Sequence, residues 1–422
     1  MSGSYYEPMG GDVEMFERYG PGGYHRVQIG DTLHHRYRVV QKLGHGSFST
    51  MWLARDAQSQ SKKLVAVKVC IANSTADEMH VMSALNDSRR ASSDGRAKAL
   101  IPTLLDHFKI HGLNGIHPCL VTVAARASLT DVKLPGGLFQ IPVARALAAQ
   151  LVLALAYVHS CGFVHGDIHL GNVLLRMPPA MADMSDEHMH REYGEPTLEP
   201  VFRVDKQPVS PEVPSHAVLP IWLGKDSEEI ALSEAKILLT DFGVSYSPLR
   251  EARFVHHALM RTQPPESRFE PARPVSFSSD IWTLGCAVWD ILGQKSLFCG
   301  DWATEDTITC EQVDALGVPP AKWWKSWEAR LKWFSEDGTS IRGDDWPVQT
   351  LEDRFEESMQ SSRKELGMAT FDADERHAIL TLMRSMLQFR PEDRITAKQV
   401  IHSAWMQKWA LPEFDKMQDE VW

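Results

Sequence analysis

The chain has 422 residues, 43% hydrophobic and 23% charged, with a formal net charge of −11. That length and apolar share allow a full core but exceed one simple domain, so two lobes are expected, and the acidic balance argues against nonspecific nucleic-acid binding and mildly favours a basic partner. No run approaches the roughly 18 consecutive apolar residues of a membrane span, Met1-Ser2-Gly3-Ser4 lacks the regions of a secretion signal, and the scattered Cys70, Cys119, Cys161, Cys286, Cys299 and Cys310 read as reduced intracellular thiols.

Residues 1–35 are rich in Gly, Tyr and Pro without a sustained period, which predicts an extended leader lying on a domain. From Tyr37 the pattern turns strand-like, with strands predicted at Tyr37–Leu43, Thr50–Ala54 and Leu64–Val69, a small antiparallel sheet. Between the first two lies Leu43-Gly44-His45-Gly46-Ser47-Phe48-Ser49, whose glycines let backbone N–H groups approach phosphate oxygens without a Cβ in the way. An ordinary hairpin would use the same residues. Lys68 shifts the balance, because an ammonium inside an apolar strand needs an anion and nucleotide phosphates supply one. A helix predicted from Thr75 to Leu85, capped by Ser74 or Thr75, puts Glu78, Val81, Met82 and Leu85 on one face. Glu78 is the candidate that aims Lys68, although a helix dipole also favours a first-turn glutamate. Residues 86–99 are polar and read as a loop. Strands follow at Leu104–Ile110 and Cys119–Val123, and Ala124-Ala125-Arg126-Ala127 reads as a connector between lobes, with Val123 and Ala125 as candidate backbone contacts for adenine.

The apolar run Val143–His159 predicts a central core helix ended by Gly162. It leads to His165-Gly166-Asp167-Ile168-His169-Leu170-Gly171-Asn172. Asp167 and Asn172 match the H-x-D-x-x-x-x-N pattern of a phosphotransferase loop, where the Asp receives the acceptor hydroxyl's proton and the Asn holds magnesium. Residues 176–226 then change character: eight prolines fall between Pro178 and Pro220, with little periodicity, predicting a surface insertion that is partly ordered at most. His188 and His190 within it read as solvated, for want of further ligands nearby. Ala235–Thr240 predicts a strand that delivers Asp241-Phe242-Gly243, a metal-binding geometry in the order kinases use. Pro264-Pro265-Glu266, Asp280-Ile281-Trp282-Thr283-Leu284-Gly285 and Arg390 to Arg394 follow. Each alone is a turn or a cap, but their joint order is not explained that way. Trp323, Trp324, Trp327 and Trp333 read as core packing. The acids Asp301, Glu305, Asp306, Glu311 and Asp314 read either as a cluster receiving a basic peptide or as a solvated face.

Together these residues make the chain resemble eukaryotic protein kinases, and within them the SR-protein kinases in a divergent fungal-type form. The resemblance runs from about Tyr19 to Trp405. Its specific parts are Gly22-Gly23-Tyr24-His25 with Ile29-Gly30-Asp31, the turn Leu43 to Ser49 continuing to Leu53, and Leu105 to Ile110 with Asn114-Gly115. It implies an α+β, bilobal protein-kinase fold: leader 1–35, small antiparallel-sheet N-lobe 36–123, larger helical C-lobe 124–412 bearing the 176–226 spacer, and tail 413–422. It implies a serine/threonine protein kinase using ATP and Mg²⁺. Gly44, Gly46 and Ser47 would cover the phosphates, Lys68 hold them, Glu78 pair with Lys68, Asp167 serve as base, and Asn172 and Asp241 bind the metal. Glu266 and Arg394 resemble the family's buried ion pair, and Asp280 the residue that braces the catalytic loop. The implied partner is a protein substrate, with Arg/Ser-rich segments the finer expectation, in cytoplasm or nucleus, for a monomer binding neither membrane nor nucleic acid directly.

Departures from the family pattern bear on activity. His169 stands where protein kinases place a Lys that neutralises the transferring phosphoryl group, and a neutral imidazole donates one hydrogen bond without a full charge. Gly166 replaces the Arg that reads an activation-segment phosphate, so constitutive activity is expected. Asp306 matches one acid of the substrate-docking cluster, but the second falls on Val313. Two alternatives therefore stand beside the active protein kinase: a pseudokinase scaffold, and a small-molecule phosphotransferase of the aminoglycoside or choline kinase type, whose loop tolerates His169.

Overall fold

The structure, a computed structural model, describes residues 5–7, 9–59, 63–74, 77–87, 95–134, 136–298, 304–343 and 346–417. Thr75, Cys299, Asp301 and the first four residues, named above, lie outside the described residues. The chain forms two compact units: residues 1–86, 102–127 and 176–224 make the first, and 87–101, 128–175 and 225–422 the second.

The alternating pattern from Tyr37 onward folds, in the first unit, into an antiparallel sheet of β1 (Thr32–Leu33), β2 (Tyr37–Gly46), β3 (Ser49–Asp56), β4 (Leu64–Cys70), β5 (Leu104–Gly112) and β6 (Gly115–Val123), ordered β1-β2-β3-β4-β6-β5. Helix α1 (Asp77–Asn86) follows β4. Val65, Val67 and Val69 of β4 join Tyr37, Val39, Trp52, Ala54 and Val121 in one buried cluster. A strand alternates its faces, so this burial turns Lys68 to the other side and pins the register, with Met51 and Leu120 as its strand neighbours. β2 shifts register between Lys42 and Gly44, just before the glycine turn.

The insertion after the catalytic loop corrects the expectation drawn from its prolines. It is ordered and belongs to the first unit. Met177, Met181, Met189 and Leu223 pack with Val40, Leu53 and Leu64, Val218 enters the sheet's own core cluster, and Leu198–Pro200 pairs with His216–Val218 as a hairpin. A helix at Asp186–Tyr193 presents Asp186 to Arg55 Nε at 2.6 Å and to Arg38 at 2.5 Å. The apolar residues are widely and irregularly spaced, four meeting in one cluster and Val218 in another, so no period betrays them. His188 and His190 lie on this helix, with His188 about half exposed, and no cluster of three metal-ligating side chains occurs among the described residues. The leader is ordered too: Tyr6, Phe16, Tyr19 and Tyr24 form a cluster with Ile71 and with Val201, Val213 and Ala217 of the insertion.

His25 and His117 lie face to tilted face, ring centroids 4.8 Å apart. His117 Nδ1 donates to the Cys70 carbonyl at 3.0 Å, and its buried Nε2 has no partner among the described residues. Burial, reinforced by His117, pushes His25 down to about 4, and burial lowers His117 as well. Folded values below the unfolded value of about 6.5 mean that the unfolded chain binds protons first. Their stabilising share is whole above that pH and drains as pH falls toward 4. Discounted for partial exposure, His25 alone accounts for about 2 kcal/mol at pH 4. Urea midpoints should fall between pH 7 and pH 4.5, and less steeply in His25→Gln. Equal slopes would rule the pair out as the cause.

The second unit is built on α2 (Ile141–Ser160), the predicted core helix. Its 20 residues, mean hydropathy 1.8, are long and apolar enough to cross a membrane, where reading the sequence found no such stretch; 83% of that window is buried, as in a core helix. β7 (Val173–Arg176) pairs antiparallel with β8 (Ile237–Leu239), Leu239 opposite Val173. Helix α3 (Phe277–Leu292) is buried along most of its length and carries Asp280. The tryptophans pack as core: Trp324 and Trp327 join Phe334, Cys310 and Val313, with Trp333 against them, and Trp323 stacks on Phe269.

Of the acids on α4 (Glu305–Leu316), Glu305 is exposed to solvent and the other three are paired with arginines. Asp314 pairs with Arg342 at 2.5 Å, Glu311 with Arg354 at 3.3 Å, and Asp306 with Arg268 while accepting the Trp327 Nε1–H at 2.9 Å. Those arginines lie 28, 43 and 38 residues away in sequence, beyond any local count of charge.

Candidate active site

Gly44, Gly46, Ser47, Lys68, Glu78, Val123 and Ala125 belong to the first unit, and Asp167, His169, Asn172 and Asp241 to the second. In the glycine turn Gly46 pairs with Ser49, and Ser47 is exposed. Neither Gly44 nor Gly46 has positive φ, and a Cβ on either would meet nothing within 4 Å. The described fold does not itself require glycine at either position. Lys68 Nζ lies 2.7 Å from Glu78 Oε1, both side chains about 15% exposed, so the ammonium among valines has its counter-charge. Val123 ends β6, and Ala125 begins the short strand Ala125–Ser128.

In the second unit the catalytic loop is hung from Asp280. Its Oδ2 accepts the His165 N–H at 2.7 Å, its Oδ1 the Gly166 N–H at 2.9 Å, and His159 Nε2 lies 2.9 Å from Oδ2. Gly166 has φ +85°, a left-handed conformation that an arginine would adopt only under strain. His165 is fully buried, and burial lowers its pKa. The ring donates from Nε2 to the Thr240 carbonyl at 3.0 Å and accepts the Asp167 N–H at Nδ1, 3.3 Å away. Asn172 Nδ2 donates to the Asp167 carbonyl at 2.9 Å and lies 3.4 Å from Asp167 Oδ2. The Asn172 carbonyl takes both the N–H and the hydroxyl of Thr240, which places Asp241 next in line.

Asp241 sits at φ +60°, a strained conformation of the kind functional sites retain. Phe242, fully buried, packs its ring 5.1 Å from that of His165. His169 Nδ1 accepts the Gly171 N–H at 3.1 Å, so in the neutral ring the proton is on Nε2, 3.7 Å from Asp167 Oδ2. Asp167 Oδ1 is buried and has no hydrogen-bond partner among the described residues. Asn172 and Asp241 bring hard oxygen donors, and two side chains suit magnesium, which keeps waters and takes phosphate oxygens for its other positions. His159 and Ser245 escaped the sequence reading. Ser245 Oγ donates to the His165 carbonyl at 2.8 Å, and no spacing rule announces either residue.

The protein kinase domain family matches residues 37–216 and 227–406, most of the chain. The chain belongs to the protein kinase family. It is similar to a serine/threonine-protein kinase SRPK of Physarum polycephalum, 27% identical over 92% of this chain and 90% of the relative. A serine/threonine protein kinase of Aspergillus fumigatus is 26% identical over 94% and 90%. The human SRSF protein kinase 3 is 36% identical over 37% of this chain and 28% of its own length. This kinase is a serine/threonine protein kinase, in a family that uses ATP and Mg²⁺, with an antiparallel-sheet N-lobe and a helical C-lobe.

Proposed function

We propose that this kinase transfers the γ-phosphoryl group of ATP to serine or threonine hydroxyls in Arg/Ser-rich protein segments, in the cytoplasm or nucleus. Lys68, aimed by Glu78, holds phosphate oxygens; Gly44, Gly46 and Ser47 cover them; Val123 and Ala125 meet the adenine; Asn172 and Asp241 would hold Mg²⁺, which would supply charge neutralisation at the phosphates. Asp167 takes the hydroxyl proton. The observation that carries this reading is the Asp167 carboxylate: its Oδ1 has no hydrogen-bond partner among the described residues in a loop whose neighbouring polar groups are bonded, and the side chain is 21% exposed, open to an acceptor hydroxyl.

The Arg/Ser preference is supported by the SRSF kinase relatives and by a cavity of about 490 Å³ lined by Arg268, Asp306, Trp327 and Glu328. Because Asp314 and Glu311 are spent on Arg342 and Arg354, a substrate arginine has to compete with Arg268 for Asp306. The deciding experiment is a phosphorylation screen of purified protein against Arg/Ser peptides, other peptides, and small alcohols and amines. Transfer to small molecules alone, or nucleotide binding without transfer to anything, would defeat the proposal.

His169 Nε2 faces Asp167, 3.7 Å from its Oδ2. His169→Lys adds a full charge near the transferring group and should leave turnover equal or up to about tenfold higher. It also removes the ring that accepts the Gly171 N–H, so stability should drop by about 1 kcal/mol. A complete loss of turnover at unchanged melting temperature would mean that the imidazole itself is required.

A further inference from the structure

The glycine turn is tied at three points to the leader, all within the first unit. Tyr24, 2% exposed, donates its hydroxyl to the Gly46 carbonyl at 2.8 Å. His45 Nε2 lies 3.1 Å from Asp12 Oδ1. Lys42, at the foot of the turn, is buried in an ion pair with Glu14, which also accepts the Tyr19 hydroxyl. Its carbonyl takes the Ile221 N–H of the insertion at 2.8 Å.

Tyr24 is itself held. Its carbonyl accepts Asn114 Nδ2 at 2.7 Å and its N–H reaches the Arg18 carbonyl at 3.0 Å. The preceding Gly22 and Gly23 carbonyls accept the Asn73 and Ala72 N–H groups, each at 3.0 Å. A Cβ on Gly23 would stand 1.8 Å from the Arg18 carbonyl oxygen, so this tight course past β4 is open to glycine alone. The turn, by contrast, has open space over Gly44 and Gly46. A glycine-rich segment loses much conformational freedom when it closes on a ligand. Fixing its carbonyl and its foot beforehand reduces that loss and tightens binding.

We propose that the leader is a brace for the glycine turn and that Tyr24 is its positioning residue, setting affinity for the nucleotide triphosphate without taking part in transfer. This rests on the phosphate-covering role proposed for Gly44, Gly46 and Ser47. The test measures MgATP binding to the full chain by titration calorimetry, with melting temperature alongside. Tyr24→Phe keeps the ring and removes only the hydroxyl, and should weaken MgATP binding by about fivefold, the worth of one hydrogen bond. Trp323→Phe, in the second unit and outside both leader and turn, loses the bond to Glu270 and should lower the melting temperature while leaving MgATP affinity unchanged. Wild-type affinity in Tyr24→Phe, or equal weakening in Trp323→Phe, would overturn the brace. Failure of the unaltered chain to bind MgATP would instead overturn the nucleotide reading on which it stands.

Discussion

Replacing Asp167 by alanine should lower phosphoryl transfer at least a hundredfold, the contribution of a positioned general base, while MgATP still binds. The structure separates the two effects. The Asp167 main chain is held by the His165 ring and the Asn172 amide, neither of which depends on the carboxylate. Among the described residues the side chain makes only the long approaches to Asn172 at 3.4 Å and His169 at 3.7 Å, with Oδ1 unpaired. Its removal therefore takes away the proton acceptor and little else, so the melting temperature should barely move. Turnover of an Asp167→Ala protein within tenfold of the parent would assign the proton to another group and sink the mechanism.

Glu266→Ala should cost the second unit about 3 to 5 kcal/mol, the penalty for stranding a buried charge. Arg394 reaches Glu266 through two parallel bonds, 2.8 and 2.5 Å, with side-chain exposures of 0% and 3%. The guanidinium cannot escape to water after the change, because the Gln388, Phe389 and Ser278 carbonyls bind it and the Trp282 ring lies 5.1 Å from its carbon. A Glu266→Met, Arg394→Leu double variant removes both charges and should recover most of the loss. Urea unfolding of the three proteins measures this, and a single variant as stable as the parent would show the pair to be dispensable.

Much of this could be read from residue order because the chemistry depends on short spacings. Asp167 and Asn172 lie within one turn of chain, and Lys68 announces itself as a charge among Val65, Val67 and Val69. The strands of the sheet were legible for the same reason, as alternation shows within a few residues. What stayed hidden depends on pairs far apart in sequence. Asp280 finds the His165 and Gly166 amides more than a hundred residues upstream, and Arg342 neutralises Asp314 from across a helix and a loop. The insertion was misjudged because Met181 and Met189 enter one cluster and Val218 another at irregular spacing, so their burial leaves no rhythm. Gly166 looked like a lost arginine; its left-handed backbone supplies a conformational reason for the glycine.

Val218 sits in the same buried cluster as Val27 and Val67, and the first unit takes its last segment from residues up to 224. On the ribosome, then, the amino-terminal unit cannot close its core when Asn86 emerges. It must wait for the intervening chain, at ordinary synthesis rates roughly 7 to 28 s. During that interval the edge of its sheet and the aromatic rings of the leader stand uncovered, which makes the nascent chain a natural client for a chaperone and makes truncations ending before residue 224 prone to aggregate.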